Sequence, residues 1–272
     1  MSAFAGQSVV ITGAARGIGH ALAVALADAG ADVIGVDLNT EPLADTAAAV
    51  QAAGRAFYGY ACDVSDGSAV QAFADRLRAE GQPVDVLIAN AGVLSSGRFI
   101  EAPMAHWQRL IEVNLLGVMH CCHALLPLLA AEGGGRILAM ASVAGKVGTP
   151  GMTAYAASKH GVVGFCEALR SELQLTQTPV TVQWVCPAMV QTQMTTGVER
   201  SALVPLATSE ATAAAVLRTL QTDRAETFIP RWTALLFRIL PGLFPSLTRR
   251  LSRSDRTTQG WLDACKRYPD PS

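Results

Sequence analysis

Tyr155 and Lys159 stand four residues apart in a stretch that reads as helix, which places them on one face about a turn from each other. A free tyrosine has a pKa near ~10 and is a poor base at neutral pH, but a neighbouring ammonium favours its phenolate. Bringing that value to neutrality asks for about 4 kcal/mol of differential stabilisation, from Lys159 together with one further positive charge. The pair then makes an acid/base catalyst. Taken alone, a Tyr-x-x-x-Lys pair is commonplace on solvated helix faces. Here Ser142 lies upstream at the end of an expected strand, beside the crevice of an open sheet, where its hydroxyl would steady a developing charge on a substrate oxygen.

A second cluster lies near the N-terminus. Gly13, Gly17 and Gly19 separate a Val/Ile run from a helical stretch, with Arg16 and Ile18 between them. Glycines at this joint let the turn close, the backbone approach a pyrophosphate, and the helix pack on the strand, while the helix N-terminus offers free N–H groups and partial positive charge. Asp37 ends the next strand, near the distance at which an acid reaches an adenosine ribose. Its carboxylate suits the ribose hydroxyls of NAD and would repel the 2′-phosphate of NADP. Arg16 pulls the other way, as a cation that could pair with such a phosphate. NAD is favoured, since Leu38 and Asn39 add no positive charge.

These residues need a scaffold, and Val/Ile-rich runs alternate with Ala-rich helical stretches from the start of the chain. Strands are expected over 7–12, 32–36, 56–61, 84–89, 135–141, 180–186 and 227–229. Helices are expected over 17–29, 41–53, 66–80, 105–131, 154–175 and 209–221. Residues 1–230 therefore read as one α/β domain, a doubly wound parallel sheet of about seven strands with helices on both faces. Residues 231–272 read as a C-terminal helical extension. Between Arg231 and Arg256 six arginines face one acid, Asp255. Trp232, Leu235, Leu236, Ile239, Leu240, Leu243, Leu247 and Leu251 form an apolar stripe that Pro241 and Pro245 should break or kink.

Composition narrows the classes further. Of 272 residues 50% are hydrophobic and 16% charged, with a net charge of −1, which excludes a disordered chain and gives no electrostatic footprint for nucleic acid. The surplus apolar surface must go into a core, a subunit interface, a lipophilic pocket or a membrane surface. The N-terminus lacks the charged and apolar regions of a signal peptide, so a cytoplasmic protein is expected. Six scattered cysteines read as reduced, buried thiols with no zinc spacing, and no metal is expected. The long stretch without formal charge, 113–131, reads as a buried or amphipathic helix because it contains Asn114, two histidines and Pro127. The five histidines read as ordinary helix residues.

The chain resembles the short-chain dehydrogenase/reductase family over nearly all of residues 5–230. The resemblance rests on Gly13-x-x-x-Gly17-x-Gly19, on Asp63-Val64 after strand three, on Asn90-Ala91-Gly92 after strand four, and on the ordered set Asn114, Ser142, Tyr155 and Lys159. It implies that Asp63 and Val64 contact adenine. It also implies that Lys159 holds the nicotinamide ribose and that Asn114, through its helix backbone and a water, links Lys159 to solvent. Pro187-Ala188-Met189-Val190-Gln191-Thr192 is similar to the family segment that clasps the nicotinamide carboxamide through Val190 and Thr192, with Ala188 in place of the usual glycine.

The expected function is hydride transfer between a nicotinamide cofactor and a lipophilic secondary alcohol or ketone. Its apolar pocket would be built by the loops 93–103, 144–152 and 192–208, with Leu94, Phe99, Val147, Met152 and Met189 among the candidates. A near alternative is an NADPH-dependent ketone or 3-oxoacyl reductase. A more distant one is a non-catalytic NAD sensor, which would have no use for the complete catalytic set. A homo-oligomer, dimer or tetramer, is implied. The Arg231–Arg256 tail would cover the active site or a neighbouring subunit, lie on an anionic membrane, or extend loosely.

Overall fold

The computed structural model describes residues 3–131, 133–192, 206–246, 250 and 261–262. Seven parallel strands form one sheet in the order β3-β2-β1-β4-β5-β6-β9. They are β1 (Ser8–Thr12), β2 (Asp32–Asp37), β3 (Phe57–Ala61), β4 (Val86–Ala89), β5 (Gly135–Met140), β6 (Val180–Pro187) and β9 (Glu226–Ile229). The order reverses between β1 and β4, so the connections leaving these two strands diverge and open a crevice at their C-terminal ends.

The helices are α1 (Gly17–Asp28), α2 (Ala44–Ala52), α3 (Gly67–Ala79), α4 (Met104–Ile111), α5 (Gly117–Ala131), α6 (Thr153–Leu175), α7 (Ser209–Leu220) and the short α8 (Leu240–Leu243). Alternation along the strands sends side chains to opposite faces. Val9, Ile11, Val33 and Val86 pack with Leu22 and Leu26 of α1 and Val216 of α7. Val10, Ile34 and Leu87 pack with Leu77 of α3, Leu125 of α5 and Val162 of α6. Leu22, Leu26, Leu77, Leu87 and Leu125 are fully buried, and each such side chain contributes about 1.5–3 kcal/mol.

Element boundaries expected from the sequence hold to within a residue or two at most ends. Asp66 caps α3, its carboxylate accepting the N–H groups of Ser68 and Ala69, and Thr208 caps α7 by accepting that of Ala211. α4 and α5 are joined by a single π turn, Glu112–Leu116, which gives the continuous helix Met104–Ala131. That helix is long and apolar enough to cross a membrane, yet it packs on α3 and on the sheet, as its polar residues suggest. A two-stranded ribbon of β7 (Met189–Val190) and β8 (Leu206–Ala207) has no counterpart in the expected elements. Two residues per strand are too few for a periodicity to register.

Candidate active site and coenzyme cleft

A cleft of about 710 Å³ opens at the C-terminal ends of β1 and β4. Gly13, Arg16, Gly17, Ile18, Asp37, Asp63, Val64, Asn90, Ala91, Gly92, Asn114, Ser142, Tyr155, Lys159, Pro187, Val190 and Thr192 all line it. Gly19, alone of the expected site residues, stands behind the wall. A Cβ there would lie 1.9 Å from the carbonyl oxygen of Gly13, so only glycine lets α1 seat against the turn. We expect Gly19→Ala to weaken coenzyme binding at least about tenfold and to lower the melting temperature. Fluorescence titration with reduced coenzyme and a thermal melt measure both effects.

The glycine turn is held from three sides. Gly13 takes φ +68°, and its N–H donates to the Val36 carbonyl at 2.7 Å. Asn90 lines the cleft while its Nδ2 donates to the carbonyls of Thr12 and Gly13 at 3.0 and 3.2 Å. The Thr12 hydroxyl accepts the N–H groups of Asn90 and Ala91 at 3.0 Å each. His20 bonds Thr46, whose hydroxyl donates to the Ala14 carbonyl at 3.0 Å, so this helix histidine buttresses the same turn.

The cleft suits a dinucleotide. The first turn of α1 has no acidic residue and no side-chain cap, leaving its N–H groups and dipole for an anion. A Cβ on Gly17 would meet nothing nearer than the Thr192 methyl at 3.6 Å across the cleft. Asp37 is anchored by the N–H groups of Ala15 (2.9 Å) and Leu38 (2.8 Å), one on each carboxylate oxygen, and each oxygen keeps a lone pair.

Asp63 is more engaged than its expected adenine contact required. Oδ1 accepts the Ser65 N–H and hydroxyl, and Oδ2 pairs with Arg109 at 3.2 Å. Burial pushes its carboxyl up, but the Ser65 hydrogen bonds and the Arg109 guanidinium outweigh it and hold the pKa below the usual carboxylate value. Arg109, on α4, lines the cleft and was missed from the sequence. A single arginine on a polar helix face carries no local signal of such a contact, which spans 46 residues.

At the other end of the cleft the catalytic candidates converge. Ser142, buried after β5, accepts the Ala144 N–H at 3.1 Å, which leaves its own proton free to donate, and it hydrogen-bonds Tyr155. Lys159 is buried; Nζ donates to the Met140 carbonyl at 2.7 Å and lies 5.8 Å from the centroid of the Tyr155 ring. Two of its three protons remain for other acceptors. Asn114 sits in the π turn, a feature frequent at functional sites. Its side chain is spent on the backbone of Val93, accepting at 2.8 Å and donating at 2.9 Å, and on Ser158 at 3.3 Å. It therefore locks the segment after β4 against α6, and any relay to solvent must use its backbone.

Burial raises the Tyr155 pKa, and the Ser142 hydrogen bond acts against the rise. Burial penalises the lysine ion as well. It holds the Lys159 pKa down to about 8, with Cys186 and Cys166 acting against the fall. A site that activates Tyr155 near neutrality thus needs a further cation, such as an oxidised nicotinamide ring.

Ala188, in place of the usual glycine, takes no positive φ. Gln177 is the only non-glycine at positive φ among the described residues, and the Ala188 N–H donates to the Ile229 carbonyl at 2.8 Å. The expected substrate walls are met in part. Leu94, Val147, Met152 and Met189 line the cleft, whereas Phe99 is exposed and stacks near Trp107 at 5.8 Å instead. Residues 193–205, including Met194, Val198 and Leu203, lie outside the described residues.

Two walls come from the C-terminal extension, Phe237 and Trp261. Trp261 is buried with its backbone against Gly151, where a Cβ would approach to 2.9 Å. Glu226 on β9, buried at the edge of the sheet, gathers the Trp184 indole N–H (2.8 Å), Lys146 (2.8 Å) and Arg238 (3.3 Å). It ties the loop after Ser142 to the extension. Pro241 stands in the first turn of α8, after a π turn over Leu235–Ile239 that absorbs the missing N–H and the ring's clash with the preceding turn.

Fold, glycine turn and the Asn114, Ser142, Tyr155 and Lys159 set define a short-chain dehydrogenase. Residues 7–202 match the short chain dehydrogenase family, and the chain belongs to it. It is 37% identical over 197 residues to "Probable oxidoreductase EphD" of Mycobacterium tuberculosis, covering 71% of this chain but 33% of that protein. It is 36% identical over 232 residues to the ketoacyl reductase HetN of Nostoc sp., covering 84% and 80% of the two chains. Among solved structures, carveol dehydrogenase of Mycobacterium avium in complex with NAD is similar with a TM-score of 0.73 and 30% identity, covering 80% of this chain and 91% of that one.

Proposed function

We propose that this protein is an NAD-dependent dehydrogenase that interconverts a lipophilic secondary alcohol and its ketone. The observation that carries the reading is the meeting of Ser142, Tyr155 and Lys159 at one end of a single cleft whose other end is Asp37, with Leu94, Val147, Met152, Met189, Phe237 and Trp261 walling the catalytic end. A nicotinamide bound there supplies a hydride acceptor or donor. Gly13, Gly17 and the α1 N-terminus would hold its pyrophosphate, Asp37 its adenosine ribose, and Val190 and Thr192 its carboxamide.

The chain's own residues handle the proton. In the oxidation direction the Tyr155 phenolate takes the proton of the substrate hydroxyl, and the Ser142 hydroxyl donates a hydrogen bond to the same oxygen as charge grows there. Lys159 offers its remaining N–H groups to the nicotinamide ribose and its charge to Tyr155. Asn114 keeps the segment after β4 and α6 in register with it. The apolar walls exclude water and favour a lipophilic frame over a sugar.

Coenzyme choice is tested by titrating NAD and NADP with a panel of lipophilic secondary alcohols at the reduced-nicotinamide absorbance band. The expected result is turnover with NAD, and an Asp37→Ala protein whose KM for NAD rises about 10–100-fold while that for NADP is unchanged or falls. Preference of the wild type for NADPH with ketones would instead support the 3-oxoacyl reductase reading, which the similarity to HetN and the presence of Arg16 favour. A homo-oligomer in the cytoplasm completes the proposal. Leu116 and Met119, 38% and 37% exposed on the helix Met104–Ala131, are the residues a second copy would cover.

A further inference from the structure

The segment after β9 carries its largest apolar side chains on the wrong side for a globular surface. Thr233 is fully buried, and Ala234 and Phe237 pack against the sheet's apolar cluster, so these mark the inward face. Trp232, Leu235, Ile239 and Leu243, spaced by three, four and four residues, turn outward. They are 47–66% exposed. A surface helix ordinarily turns its apolar stripe to the core and its charges to water. Among the described residues the stripe is exposed, and exposed apolar side chains gathered beside charge mark an interaction site.

The segment that carries the stripe is basic. Arg231 and Arg250 are exposed, the Arg238 side chain is 64% exposed even while paired with Glu226, and the sequence from 231 to 256 holds six arginines against Asp255. A two-fold contact with a second copy would bring this basic patch against itself. An acidic surface matches it.

We propose that this face docks on an anionic lipid surface. Helical turns lying in the plane of the interface fit the pattern: an outward apolar stripe to enter the acyl boundary, arginines to meet the headgroups, and an indole, Trp232, at the level where tryptophans concentrate. With six arginines between 231 and 256 the sequence is too charged to span, so the segment lies on the bilayer. Phe237 lines the cleft from the inward side of the same turns. A bound bilayer would then sit one helix thickness, about 10 Å, from the cavity, and an apolar substrate could pass between them with little exposure to water. That last consequence rests on the lipophilic-substrate reading; the docking itself does not.

The test is co-sedimentation of the full chain with phosphatidylcholine vesicles, with and without phosphatidylglycerol, with no substrate present. Binding at least about tenfold stronger to the anionic vesicles is expected, falling about tenfold or more as salt shortens the reach of the charges. The Leu235→Asp/Leu243→Asp protein should lose binding tenfold or more while keeping its melting temperature and its affinity for reduced coenzyme. Arg231→Gln/Arg250→Gln is a milder second variant and should weaken binding to the anionic vesicles alone. Equal binding to both vesicle types, no binding, or wild-type binding by the Leu235→Asp/Leu243→Asp protein overturns the proposal. So does a wild-type oligomer that the same variant dissociates without any vesicle binding by the wild type, which would assign the face to a second copy. None of these readouts uses turnover, so their failure leaves the proposed oxidoreductase reading standing.

Discussion

Replacing Tyr155 by phenylalanine is expected to lower turnover about 10²–10⁴-fold, the range spanned by a single general acid/base. Coenzyme affinity should change by no more than about two- to threefold, since the ring remains and only one hydroxyl is lost. Stopped-flow or steady-state reduction of NAD measures the first effect and fluorescence titration the second. A wild-type rate within tenfold of the variant's would remove Tyr155 from the chemistry. The pH profile adds a second check. Burial raises the Tyr155 pKa and the Ser142 hydrogen bond offsets part of the rise, so the base form needed for alcohol oxidation accumulates as pH climbs. The oxidation rate of the wild type should therefore increase from neutral toward alkaline pH, and the Tyr155→Phe protein should have lost that dependence.

Lys159→Met should separate activity from stability. Turnover should fall by about 10² or more, because the substitution removes the cation beside Tyr155 together with the donor proposed for the nicotinamide ribose. Stability should change in the opposite sense. Burial lowers the Lys159 pKa from 10.5 to about 8. Below pH 8 native and unfolded chains both hold the proton, and the native chain carries the full cost of the buried charge. Between about 8 and 10.5 only the unfolded chain still binds it, so the cost fades as pH rises. The cost corresponds to about 3 kcal/mol. Methionine also forfeits the bond to the Met140 carbonyl, which offsets about half of the gain and leaves about 1–2 kcal/mol net at pH 7. Denaturant melts of both proteins at pH 7 and pH 10 measure this. A variant less stable than wild type at pH 7 would mean that the lysine's hydrogen bonding outweighs its desolvation.

Most of the sheet and of the cleft was legible because its signals are local. A Val/Ile run of five residues, a helix bounded by Asp66 or Thr208, and three glycines at fixed offsets each impose a backbone conformation on their own neighbourhood. Arg109, Phe237 and Trp261 were not legible as cleft residues, and neither were the bonds that tie the Asn90 amide to the glycine turn. Each of these depends on what lies across the cleft, and nothing within a few residues of the chain records that.

The catalytic end shows the division most clearly. The spacing of Tyr155 and Lys159 on one helix and the position of Ser142 after β5 placed the three groups near one another, because a helix repeats every 3.6 residues and strands of one parallel sheet end on one side. Burial then decided their chemistry: it raises Tyr155, lowers Lys159 and turns the lysine toward Met140. The same holds for the C-terminal stripe. Its periodicity was plain in the sequence, but periodicity says only that one face is apolar, and the packing of Thr233, Ala234 and Phe237 against the sheet decided that Trp232, Leu235, Ile239 and Leu243 face out. Local sequence sets which residues share a face, whereas which face meets the core depends on the total apolar area that each orientation buries, a sum over residues distant in the chain.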